Sequence, residues 1–69
     1  MKVSYKKLFK LLIDRDMKKQ DLCKAANLSA SSVTKLVNNK NVSMDVIVRT
    51  CSALQVDVGD ILELIPDDD

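Results

Sequence analysis

"KAANLSASSV", Lys24 to Val33, carries one charge in ten residues, in a chain where 30% of all residues are charged. After the lysine come only small, polar or aliphatic side chains. Such a stretch is either a slack linker or a tight corner, and the flanking residues decide between them. Upstream, Leu22, Cys23 and Ala26 share one helical face, and Asp21 lies in the first turn, where a negative charge meets the helix dipole favourably. That spacing predicts a helix over Lys19 to Ala26, poorly capped because Lys18 stands where Ser, Thr or Asn is expected. Downstream, Ser29 is a good N-cap for a helix reaching about Asn38, with Val33, Leu36 and Val37 as its apolar edge. Only Asn27 and Leu28 remain between the two helices. A turn that short calls for a residue with positive φ, and Asn tolerates that conformation best after Gly. The passage therefore reads as a corner.

The rest of the chain fits helices around that corner. Tyr5, Leu8, Phe9, Leu12 and Ile13 recur at helical spacing, which predicts a first helix from Ser4, its cap, to Asp14. "NNKN" breaks the pattern after the third helix. Ser43 then caps a fourth, with Met44, Ile47, Val48, Cys51 and Leu54 in step. Asp57 is positioned to cap a fifth, carrying Val58, Ile61, Leu62 and Ile65 until Pro66 stops it. The branched cluster "VIVRTC" is compatible with a strand, but the Ser43 cap and the long period through Leu54 favour the helix. One all-α, five-helix domain over residues 1–66 is expected, with residues 67–69 as a frayed acidic tail.

Composition narrows the function. The 69 residues are 46% hydrophobic with one Gly and one Pro, which argues for a compact domain and against disorder. With no histidine, and with Cys23 and Cys51 far apart in sequence, neither a zinc site nor a catalytic thiol has its partners, so no metal, cofactor or enzymatic activity is expected. Two thiols in a reducing compartment, no apolar run of membrane-spanning length and no signal-peptide pattern lead to the expectation of a soluble, cytoplasmic protein. A redox role for the cysteines is the lesser alternative.

Net charge is only +1, but it is unevenly spread: up to Asn41 there are ten basic residues against three acidic ones, and beyond it Arg49 stands alone against seven acidic ones. This suggests a basic working face and an acidic opposite end, the competing reading being that the lysines merely solvate helix surfaces.

Leu22, Cys23, Asn27, Leu28, Ser29, Val33 and Leu36 together resemble the helix-turn-helix of the phage repressor and Cro family of small bacterial and phage regulators. The resemblance continues through "NNK" and "SALQVDVGDIL", and so covers nearly the whole chain. Cys23 replaces the family's common alanine and Asn27 its common glycine; each keeps the needed property. The resemblance implies a lambda-repressor-like domain whose second and third helices form the helix-turn-helix, the third lying in the major groove of double-stranded DNA. Carried over, Ser29, Ala30, Ser31, Ser32, Thr34 and Lys35 occupy groove-facing positions, Lys18, Lys19 and Gln20 meet a phosphate, and Asn38, Asn39 and Lys40 run beside the backbone. A small transcriptional regulator acting as a homodimeric repressor is the implied function. A protein-interaction module, or an antitoxin with a toxin partner, is the alternative on the same fold.

Overall fold

The computed structural model describes residues 1–67. Its elements, in chain order, are a strand β1 (Lys2–Ser4), helices α1 (Lys6–Asp14), α2 (Lys19–Ala26), α3 (Ala30–Val37) and α4 (Met44–Leu54), a single 3₁₀ turn (Val58–Asp60) and a strand β2 (Glu63–Ile65). Four helices thus surround one core, and the two ends of the described chain meet in an antiparallel ribbon that pairs Lys2 with Ile65, Val3 with Leu64 and Ser4 with Glu63.

The core is the sum of the apolar stripes. Tyr5, Leu8 and Leu12 from α1 and its approach, Leu22 and Ala26 from α2, Leu36 from α3, and Ile47 and Leu54 from α4 form one buried cluster, closed by Ile61. Helix α3 is held by Val33 and Leu36, its two buried side chains. Thr50 is also fully buried, but its hydroxyl donates to the Val46 carbonyl at 2.8 Å, so no polar group is left unsatisfied there. Among the described residues, no helix is long and apolar enough to cross a membrane.

All four helices stop in the same way. Asp16, Asn27, Asn39 and Gln55 each have φ between 54° and 56°, and the amide of the following residue donates back to a carbonyl five positions earlier: Met17 to Leu12, Leu28 to Cys23, Lys40 to Lys35, Val56 to Cys51. This satisfies carbonyls that the helix end would leave open. Asp and Asn tolerate the left-handed region. Gln55 has no such tolerance, and the chain's one glycine, Gly59, lies elsewhere in ordinary backbone. Gln55→Gly should therefore stabilise the domain by about 1 kcal/mol, the relief of left-handed strain exceeding glycine's extra entropy loss. In a domain this size that raises the thermal midpoint by roughly 5 °C, measurable by circular dichroism; an unchanged or lower midpoint would show that Gln55 is not strained.

Two expectations are corrected. The fold is not all-α, and among the described residues there is no fifth α-helix. Asp57 does cap, accepting the Val58 amide at 2.7 Å while Asp60 accepts the Asp57 amide at 3.0 Å, but only one 3₁₀ turn follows. Ile61 then enters the core with no exposed surface, and the chain straightens to pair with β1, leaving Leu64 62% exposed. At the other end, Ser4 does not cap α1. It belongs to β1, its hydroxyl accepting the Lys6 amide in a two-residue turn at 3.4 Å, and α1 begins after Tyr5 without a side-chain cap. Of the expected acidic tail, Asp68 and Asp69 lie outside the described residues; Asp67 takes the Met1 amino group at 3.2 Å.

Candidate nucleic-acid interface

The corner at Asn27 is closed as its sequence requires. Asn27 is left-handed at φ 54° and ψ 51°, and Ser29 accepts the Ser32 amide at 3.2 Å, so α3 starts at Ala30, three residues after Asn27. Helix α4 braces the corner from behind. The Arg49 guanidinium donates to the Asn27 carbonyl at 3.1 Å and pairs with Asp45 at 2.9 Å. Sequence reasoning missed this brace, because nothing in the spacing of Arg49 tells that it faces α2.

Three groups of candidate residues flank the corner. At the start of α2, Lys18, Lys19 and Gln20 are exposed, and the Lys18 amide is taken by the Asp21 carboxylate at 2.8 Å. That contact supplies half of a capping box and offsets the poor cap noted in the sequence. The amides of Lys19 and Gln20, in the first turn, have no helical acceptor and point outward with the dipole's positive end.

On α3, Ser29, Ala30, Ser31, Thr34 and Lys35 are exposed and Ser32 is half-buried. Val33 and Leu36 point the other way, so one face of this short helix is held and the other is free. The Ser29 hydroxyl lies 3.0 Å from the hydroxyls of both Ser31 and Ser32, and Thr34 donates to the Ala30 carbonyl at 3.0 Å. These hydroxyls keep lone pairs, and in part protons, to offer outward. Among the described residues, Lys35 has no carboxylate partner.

The residues after α3, Asn38, Asn39 and Lys40, are exposed and follow it directly. Here Tyr5 acts as a clamp that the sequence did not reveal. Its amide donates to the Asn39 side-chain carbonyl at 3.0 Å and its hydroxyl to the Lys40 carbonyl at 2.9 Å. Asn39 therefore commits one oxygen lone pair to the Tyr5 amide, while its amide nitrogen stays available to a ligand. The available signal was Tyr5 itself, the chain's single tyrosine, since a buried phenol nearly always finds a partner. Burial pushes its pKa up, so the proton it donates is retained at neutral pH.

The two cysteines are free and half-buried. Burial pushes the Cys51 thiol up, and the charges of Asp57 and Asp60 raise it further, the opposite of what a reactive thiolate needs. Among the described residues, no three metal-ligating side chains come together.

A braced two-helix corner presenting the polar face of a capped, eight-residue helix defines a helix-turn-helix unit. The chain belongs to the Cro/C1-type helix-turn-helix DNA-binding domain family, which matches residues 7–67. Among solved structures it is similar to the crystal structure of the transcriptional regulator VanUg, at 52% sequence identity with a TM-score of 0.91, over 96% of this chain and 88% of that one. No curated protein matches it.

Proposed function

We propose that this chain is a cytoplasmic transcriptional regulator that binds double-stranded DNA as a homodimer, with α3 in the major groove, and represses by occupying its site. The observation that carries this reading is the outward face of α3: Ser29, Ala30, Ser31, Thr34 and Lys35 stand clear of the core, while Val33 and Leu36 fix the helix from behind. Lys35 suits guanine O6 and N7, the hydroxyls of Ser31, Ser32 and Thr34 either donate or accept, and the Ala30 methyl suits the thymine methyl. With no long amide or arginine on that face, DNA shape and bridging water supply part of the selectivity.

The flanks provide the sequence-independent part. Lys18, Lys19 and Gln20 bring charge and two free amides to one phosphate, while Asn38, the Asn39 amide nitrogen and Lys40 meet the backbone on the other side of α3. A single domain covers a short half-site. A symmetric pair reading half-sites one DNA turn apart, roughly 34 Å, gives the specificity a regulator needs.

The test is selection of bound duplexes from a random pool, followed by a salt series on the winner. A two-fold symmetric consensus is expected, with affinity falling about 10³-fold between 50 and 200 mM salt. A pool with no enrichment, or a flat salt response, would remove the reading.

A further inference from the structure

Phe9, Leu12, Ile13, Met17 and Val37 line an open groove of about 670 Å³ between α1, the start of α2 and the end of α3. A second depression of about 400 Å³ shares Phe9, Ile13 and Val37 and continues toward Ser4 and Asn39. Their floor is apolar and wet: Ile13 is 72% exposed and Val37 41%. Their rim is basic. Lys18 and Lys19 border the first depression and Lys6 and Lys10 the second, and among the described residues none of the four pairs with a carboxylate.

DNA would account for only the basic half of this surface. Phosphates neutralise lysines but leave an apolar floor in water, where it contributes nothing to binding. A groove this open would also leave most of a small molecule wet, whereas ligand pockets bury the greater part of their ligands. An amphipathic helix meets both halves at once, laying apolar residues on the floor and acidic ones along the rim. We infer that this groove docks an acidic amphipathic helix of a partner protein, and that the partner and DNA exclude each other because both use Lys18 and Lys19. The exclusion rests on the proposed phosphate role of those two lysines; the docking does not.

The probe is a synthetic helix with leucines on one face and glutamates on the other, labelled and titrated into the full chain, with selected duplex DNA as competitor. The wild-type chain is expected to bind it, and DNA to displace it competitively. Ile13→Ser, a change at an exposed position, weakens the peptide about tenfold and leaves DNA affinity within about twofold. Lys19→Glu weakens both ligands. Four results would overturn the inference: no peptide binding up to about 1 mM; equal binding of a control peptide whose leucines are replaced by serine, which would reduce the site to lysine electrostatics; indifference to Ile13→Ser; or a dimer dispersed by Ile13→Ser in sedimentation, which would assign the groove to a second copy. Peptide binding that survives while DNA binding is absent would sink the regulator reading and the exclusion together, leaving only the docking surface.

Discussion

Lys35→Glu is expected to weaken binding to the selected duplex about a hundredfold at low salt, and to relax the preference at the base pair that Lys35 meets. The exposed ammonium is free of any acidic neighbour among the described residues, so reversing it disturbs nothing inside the protein. Stability should stay within about 0.5 kcal/mol, as for most surface changes. In the groove the same change does two things. It removes a donor whose loss costs about 1–3 kcal/mol of base discrimination, and it places a carboxylate against phosphates. Lys24→Glu provides the control, since it makes the same change in net charge on an exposed position of α2 that is not among the proposed contacts. Equal losses for the two variants would mean that only overall charge matters and that α3 is not the reading element.

The second large effect is on folding. Leu36→Ala should cost about 3 kcal/mol, because the residue has no exposed surface and packs in the central cluster, where neighbours relax only partly around a lost side chain. That is most of the stability a domain of this size can hold. The thermal midpoint should fall by roughly 15–20 °C in circular dichroism, and DNA binding should vanish above the new midpoint but persist below it. A fall of only a few degrees would mean that α3 is fixed mainly by its ends, through Ser29, Asn27 and the Tyr5 clamp, and not by its buried face.

The corner was legible because everything it needs is local. A left-handed residue, a hydroxyl cap and two apolar positions within one helix fix α2 and α3 over a dozen residues, and Ser43 did the same for α4. The C-terminal segment misled for the opposite reason. Val58, Ile61, Leu62 and Ile65 keep helical spacing, yet Glu63–Ile65 take their conformation from Lys2–Ser4, a partner that no local pattern announces. Ser4 was read as a cap for a related reason: a hydroxyl that accepts a nearby amide serves a strand-to-helix turn as readily as a helix start. Periodicity alone set Ser31, Ser32, Thr34 and Lys35 off the apolar edge of α3, where the structure has them. The contacts that fasten those faces, Arg49 on Asn27 and Tyr5 on Asn39 and Lys40, are long-range and left no trace in spacing. The exposed floor at Ile13 and Val37 was hidden because periodicity marks apolar positions without telling which of them lack cover.

The β1–β2 ribbon sets the order in which the molecule assembles. The main helix contact, α2 against α4, closes a loop of moderate length around α3, whereas the ribbon must close a loop of nearly the whole chain for a few backbone hydrogen bonds. The ribbon is thus expected to zip last and open first, which hydrogen exchange would show as ribbon amides exchanging ahead of those in α2 and α3.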